Sequence, residues 1–307
     1  MRFALSEDQT MLRDAARDLL RGECSPERLR EAWAGDGRIP GLWKTLADNG
    51  LLGVCAPESV GGLELGMVEL CLVLEEAGYV ALPEPLLEVA AVTVPHLGSD
   101  PRLCDVVTGE RLILVAQGEP LLCADDADEI LGGSLEEAVH SVDESRRLRA
   151  TTGALTSLHG VVGAAAILAG LGRRMLDMAV EYASVRRQFG KPIGSFQAVQ
   201  HHLVDARLAL EFVGPVVTRA AWALDHPEDT DLDELPAAAH AAMAKSLASD
   251  AALLAARKAL QVHGAIGYTT EYDLHLFMKR TWALAHTFGT SDAHRADLAR
   301  HLTRNHA

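Results

Sequence analysis

A mainly α-helical fold is predicted: a helical N-terminal domain over 1–99, a reduced β segment over 100–153 and a C-terminal four-helix bundle over 154–307. Three observations predict it. Hydrophobic residues make up 49% of the chain and aromatics only 5%, an Ala/Leu/Val-rich composition that suits closely packed helices. Small or apolar residues recur at helical spacing on both sides of Gly190-Lys191-Pro192. Leu168, Leu171, Gly172, Met175, Met178, Ala179 and Tyr182 form one stripe, and Phe196, Val199, Leu203, Ala206, Leu210 and Val213 form the other. Only the stretch near 100–152 breaks into short β-like pieces between turn signals.

In chain order, Ser6 and Gln9 have the spacing of a capping box, and Leu12, Ala15, Ala16 and Leu19 continue an amphipathic helix toward Gly22. Pro26 opens a short helix, and 42–49 forms another, stopped by Gly50. Residues 51–63 form a glycine-shaped interhelix loop. Helices over 67–79 and 84–97 complete the N-terminal domain, with Pro83 and Pro85 at their joint. The β-like pieces are 112–115, 121–123 and 138–142, divided by Gly109, Gly118-Glu119-Pro120 and Gly132-Gly133. A long helix over 157–188, on the order of 48 Å, begins the bundle. At its end, Gly190 fits a C-terminal cap and Pro192 cannot continue the helix. Gly194 or Ser195 can cap a second helix over 195–224. An acidic connector, 225–234, reads as a solvated loop. Pro236 opens a third helix to 262, a fourth spans 274–284, and a terminal helix follows the break at Phe288-Gly289-Thr290.

The corner between the first two bundle helices concentrates Arg186, Arg187, Gln188, Phe189 and Lys191. Charge, amide and aromatic ring together suit an anionic, planar ligand. Arg186, Gln188, Phe189, Gly190, Pro192, Ile193, Phe196, Gln197 and Gln200 match the R-x-Q-F-G-x-P-I-x-x-F-Q-x-x-Q motif of acyl-CoA dehydrogenases, which the chain resembles. Residues 261–269, QVHGAIGYT, resemble a second motif of that family, in the expected order. The loop at 51–63 resembles a third element that runs beside the acyl-CoA cleft in relatives.

The resemblance implies FAD binding. Arg186 would form charge-assisted bonds to the pyrophosphate. Phe189, Ile193 and Phe196 would supply apolar contacts, and Gln188, Gln200 and Gln261 hydrogen bonds to ribose or ring edges. Gly264 would allow close backbone approach. The family's second glycine is Ala265 here. In relatives, these elements grip the adenosine diphosphate portion of FAD held mainly by a neighbouring subunit.

The resemblance also shows what is missing. Family members remove an α-proton from an acyl-CoA thioester with a glutamate while the β-hydrogen leaves as hydride to the flavin. In most, that glutamate lies in a Y-E-G-T motif, which corresponds here to Thr287-Phe288-Gly289-Thr290. In a minority it lies early on the first bundle helix, at a position that corresponds to Gly160. Both positions lack a proton acceptor, so no catalytic residue is assigned. His159, His286 and Asp292 lie near and are read as structural or surface groups. The T-E-P-x-x-G-S-D loop and K-x-W-I-T-N strand that hold the flavin ring are absent from 100–153.

Retained and lost features together resemble the short, non-catalytic subunit of α2β2 acyl-CoA dehydrogenases of steroid side-chain catabolism. That resemblance implies one FAD shared with a full-length partner subunit, acyl-CoA bound mainly by that partner, and electron-transfer flavoprotein as acceptor. Two other readings stay open: a homo-oligomeric flavoenzyme using an unusual base such as Asp292, and a helical scaffold without FAD.

The net charge of −15 argues against a nucleic-acid partner, which needs a basic surface. Five scattered cysteines without a C-x-x-C pair fit reduced thiols and a cytoplasmic protein. No signal pattern, membrane-spanning run or metal-ligand spacing is present in the sequence.

Overall fold

The computed structural model describes residues 3–153, 155–227 and 235–304. Residues 228–234 of the expected acidic connector lie outside the described residues. Helix α1 (Glu7–Glu23) starts at the expected capping box: the Gln9 N–H donates to Ser6 Oγ at 3.1 Å, and the Ser6 N–H donates to Gln9 Oε1 at 2.9 Å. Pro26 occupies the first turn of α2 (Pro26–Ala34), and α3 (Leu42–Asp48) stops before Gly50, whose φ is +74°. Helix α4 (Met67–Tyr79) is almost wholly buried. Its first amide, Met67 N–H, donates to both carboxylate oxygens of Asp225, at 3.0 and 2.9 Å.

The helix expected over 84–97 differs in kind. Residues Leu87–Thr93 are π-helical and run into a short α5 (Val94–Leu97). Pro95 removes one backbone donor, and its ring crowds the carbonyl of Ala91, a conflict that a widened turn relieves. Thr93 Oγ1 then donates to Glu88 O and Ile113 O, which ties the π segment to the β layer.

After α6 (Leu103–Val107) come two small sheets. Strand β1 (Ile113–Val115) pairs in parallel with β3 (Glu129–Leu131). Strand β5 (Leu148–Thr151) lies between β2 (Leu121–Leu122) and β4 (Leu135–Val139), antiparallel to both. The piece expected at 138–142 is thus β4, shifted earlier. Strands β3 and β5 were not foreseen, because Glu129-Ile130-Leu131 and Leu148-Arg149-Ala150-Thr151, at three and four residues, are too short for a strand pattern to stand out. A separate core under this layer joins Leu112, Ile113, Leu114, Leu121 and Leu122 to Val94, Leu103 and Val106. Arg280 of the bundle secures it, donating to Asp143, to Leu82 O at 2.6 Å and to Ser145 Oγ at 2.7 Å.

The bundle comprises α7 (Leu158–Val185), α8 (Gln197–Glu211) with α9 (Val213–Asp225), α10 (Ala237–His263) and α11 (Leu274–His286), followed by α12 (Ser291–Arg304). Small residues let the central helices approach closely. A Cβ on Gly170 of α7 would lie 1.9 Å from Glu75 O of α4, and one on Gly78 would lie 2.1 Å from Ile167 O. The buried face of α10 is a run of alanines, including Ala241, Ala244, Ala248, Ala252 and Ala256.

Three local expectations are corrected. The long first helix ends at Val185 rather than 188, and Gly190 is a turn residue rather than its cap. Neither Gly194 nor Ser195 caps α8: the cap position is Phe196, and Ser195 Oγ donates back to Pro192 O. The second helix is two helices meeting at Phe212, because Pro215 lacks an N–H and its ring crowds the carbonyl of Glu211.

Candidate functional site

The expected corner is a miniature hairpin. Strands β6 (Arg187–Gln188) and β7 (Lys191–Pro192) pair antiparallel across Phe189-Gly190. Both turn residues have positive φ, +52° and +81°, the arrangement of a type I′ turn. The Arg187 guanidinium donates to Gly190 O at 2.9 Å, and the Ile193 N–H donates to Arg186 O at 2.8 Å, so the turn is braced from both sides.

The hairpin points its chemistry outward. Arg186, Arg187, Gln188 and Lys191 are exposed, and none of the three cations pairs with a carboxylate among the described residues. Phe189 is 91% exposed. Its ring meets Phe196 edge-on at 6.1 Å, and Lys191 Nζ lies 4.3 Å from the Phe196 ring centre. Ile193 is half-buried at the foot of the hairpin. Gln200 is partly committed: its amide nitrogen donates to Gly194 O at 2.9 Å, which leaves its oxygen as the available group.

The second expected segment lies at the end of α10. Gln261 is exposed, and Gly264 adopts φ +64° with ψ −137°, a conformation that favours glycine, beside open space. An aromatic stack connects it to the end of α7: Tyr182 lies parallel to His263 at 4.6 Å, and His263 lies 4.7 Å from Tyr272. His263 Nδ1 is 2.7 Å from Ala259 O, and burial depresses the imidazole pKa. Tyr182 and His263 therefore fix the separation of the two segments.

The two positions that lack a base converge in space. The Phe288 ring fills the notch at Gly160, where an added Cβ would lie 2.5 Å from ring Cε1. Phe288 has φ +57°, unusual for a bulky residue, and its backbone is clamped. Its N–H donates to Glu119 Oε2 at 2.5 Å, and its carbonyl lies 2.7 Å from His294 Nε2. The adjoining Gly289 carbonyl accepts from Lys245 Nζ at 3.0 Å. Lys245 is 0% exposed, and burial lowers its pKa to about 8. Asp292 is exposed on the first turn of α12 and pairs with Arg295, and His286 is also exposed. His159 faces a cavity of about 600 Å3 near Asp225, and burial lowers its pKa.

Comparison with known proteins decides the family. Residues 6–100 match the acyl-CoA dehydrogenase N-terminal domain and residues 154–303 the C-terminal domain. The acyl-CoA dehydrogenase IpdE2 of Mycolicibacterium smegmatis is 31% identical, over 93% of this chain and 96% of its own length. This chain belongs to the acyl-CoA dehydrogenase family.

IpdE2 of Mycobacterium tuberculosis is also 31% identical, across 89% of this chain and 91% of its own length. The acyl-CoA dehydrogenase fold extends over the whole molecule. The ChsE4–ChsE5 complex of M. tuberculosis superposes with a TM-score of 0.83 at 24% identity, covering 99% of each chain. The Tcur3481–Tcur3483 steroid ACAD gives 0.85 at 24% identity, over 97% of this chain and 98% of that one. Butyryl-CoA dehydrogenase of Megasphaera elsdenii gives 0.85 at 19% identity, over 99% of this chain and 100% of that one.

Glu119, Lys245 and His294, which hold the closed position in this acyl-CoA dehydrogenase family chain, were not singled out by sequence. Lys245 had a readable signal: Ala241, Ala242, Ala248 and Ser249, its neighbours at helical spacing, mark a buried face that carries one cation. Glu119 had none, since it reaches Phe288 across 169 positions of sequence.

Proposed function

We propose that this chain is the non-catalytic subunit of a heteromeric, FAD-dependent acyl-CoA dehydrogenase, and that it completes a partner subunit's FAD site. One observation carries the reading. Among the described residues, the outward corner keeps three cations free of carboxylates beside a bare phenyl ring, while Phe288 and Gly160 interlock where a base is needed. FAD, when bound, supplies acceptance of the β-hydrogen as hydride. The residues of this chain suit the other end of the cofactor. Arg186 would bind the diphosphate, with Lys191 adding positive potential. Gln188, Gln200 Oε1 and Gln261 would hydrogen-bond ribose or ring edges. Phe189, Phe196 and Ile193 would exclude water, and Gly264 would admit close backbone approach.

The partner is a full-length acyl-CoA dehydrogenase subunit in an α2β2 assembly. The surface beside the hairpin supports this: Val204, Leu208 and Phe212 form an exposed apolar row along α8 and its end, and Val185 is exposed at the hairpin base. Structural neighbours of this chain include the ChsE4–ChsE5 complex and the Tcur3481–Tcur3483 steroid ACAD. A bulky, steroid-type acyl group on CoA, bound mainly by the partner, and electron-transfer flavoprotein as acceptor follow from the same reading.

Flavin absorbance tests it. The chain purified alone should carry none, and the pair about one FAD per heterodimer. Losing a charged hydrogen bond costs roughly 1.5–3 kcal/mol, so Arg186→Ala should weaken FAD retention by the pair about 10- to 100-fold. Stoichiometric flavin on the isolated chain would refute the shared site.

A further inference from the structure

A cavity of about 330 Å3 lies where the N-terminal helices meet the bundle. Its walls come from the end of α1 and the turn into α2, from the end of α4, and from α7 and α11. One side is apolar. Leu29, Val80, Leu276 and Phe277 line it beside Cys24, whose thiol burial pushes up to about 12 and so keeps neutral. The other side carries Arg21 and Arg174. Apolar walls with a few charged groups set into them, at a junction between domains, are the usual make-up of a small-molecule site.

The two arginines are held by an aromatic ring rather than by acids. The Tyr79 ring is buried, and three guanidiniums face it: Arg21 at 4.2 Å from its centre, Arg173 at 4.9 Å and Arg174 at 5.5 Å. Arg173 pairs with Glu75 and Glu76, at 2.6 and 2.7 Å. Arg21 and Arg174 form no ion pair among the described residues. Contact with a ring face uses none of a guanidinium's five N–H donors. Arg174 also lies beside the Tyr79 hydroxyl, which donates to Asp177 at 3.0 Å.

Two carboxylates stand at the same cavity. Asp273 is taken by Arg30, at 2.5 Å. Glu181, exposed on α7 about two turns beyond Arg174, has no ion-pair partner among the described residues. With Asp273 neutralised, two positive charges face one negative. One negative charge on a ligand balances them, and a dianion would meet Glu181 with its surplus.

We propose that this cavity binds a small organic monoanion, a carboxylate on a compact apolar body. Arg21 and Arg174 donate to the carboxylate, and Leu29, Leu276 and Phe277 cover the body. The site goes beyond the cofactor role of the hairpin and shares no residue with the hairpin or with Gln261 and Gly264.

Calorimetric titration of the full chain with octanoate tests it. Octanoate should saturate one site per chain at sub-millimolar concentration, an affinity within reach of about ten well-placed non-hydrogen atoms. Arg21→Gln and Arg174→Gln should each weaken binding about tenfold or more, the loss of a charged hydrogen bond. Octanamide, similar in shape and uncharged, should bind at least about tenfold more weakly. Glu181→Gln removes the repelling carboxylate and should tighten binding severalfold. Absence of saturable binding would overturn the proposal. So would equal affinity for octanamide, a loss of affinity in Glu181→Gln, or unchanged affinity in both arginine variants, which would put octanoate in another cavity. If Arg174→Gln does not melt cooperatively, Arg21→Gln, at the exposed end of α1, decides by itself.

Discussion

Replacing Arg280 by methionine tests what holds the β layer, and with it Glu119, against the bundle. Arg280 is buried and donates to Asp143, to Leu82 O and to Ser145 Oγ. Methionine fills comparable volume but removes all three bonds. Asp143, 0% exposed, then keeps only the Ser145 N–H at 3.2 Å and the Ser145 hydroxyl at 2.6 Å. Removing one member of a buried ion pair costs about 3–5 kcal/mol, chiefly through the charge left behind. For 307 residues the unfolding entropy is roughly 0.6 kcal/mol per degree, so the melting temperature should fall by about 5–8 °C. Calorimetry with urea titration of Arg280→Met, Asp143→Asn and the double variant gives the full cycle. The double variant, with the charge removed and the Ser145 acceptor kept, should recover at least half of the loss. A single-variant cost below about 1 kcal/mol, or losses that merely add, would refute the argument that the pair governs docking of the β layer.

Two further outcomes follow from the packing. Lys245 titrates near 8 in the fold against 10.5 for a free side chain, so the unfolded chain binds more protons between those values. Its contribution to stability should therefore rise with pH from about 8 to 10.5, by about 3 kcal/mol in all. Urea titrations of wild type and Lys245→Met at pH 7 and pH 10 should show the wild type gaining on the variant, and a flat difference would contradict a charged, buried ammonium at pH 7. At the crossing of α4 and α7, Gly170→Ala would force a methyl to 1.9 Å from Glu75 O and should cost more than 2 kcal/mol or prevent folding. Wild-type stability in that variant would mean that the helices can part freely.

Much of this molecule was legible in one dimension because its signals are local and periodic. The capping box at Ser6, the helical stripes through Leu168 and Met175, and the motif from Arg186 to Gln200 each depend on neighbours a few positions away. The family followed from those motifs, and their order along the chain placed the corner and the second loop. Local rules misjudged the places where distant groups decide the backbone. Gly190 looked like a helix cap until pairing of Arg187–Gln188 with Lys191–Pro192 made it half of a hairpin turn. Strands β3 and β5, too short for their pattern to stand out, exist because partner strands take up their backbone bonds. The sequence by itself determined that Phe288 and Gly160 lack a proton acceptor. Only the tertiary structure decided that they interlock, that Glu119 and His294 hold them so, and that Tyr182 and His263 join the two motifs. Those contacts join residues more than eighty positions apart or hang on one side-chain direction, and no spacing rule carries either.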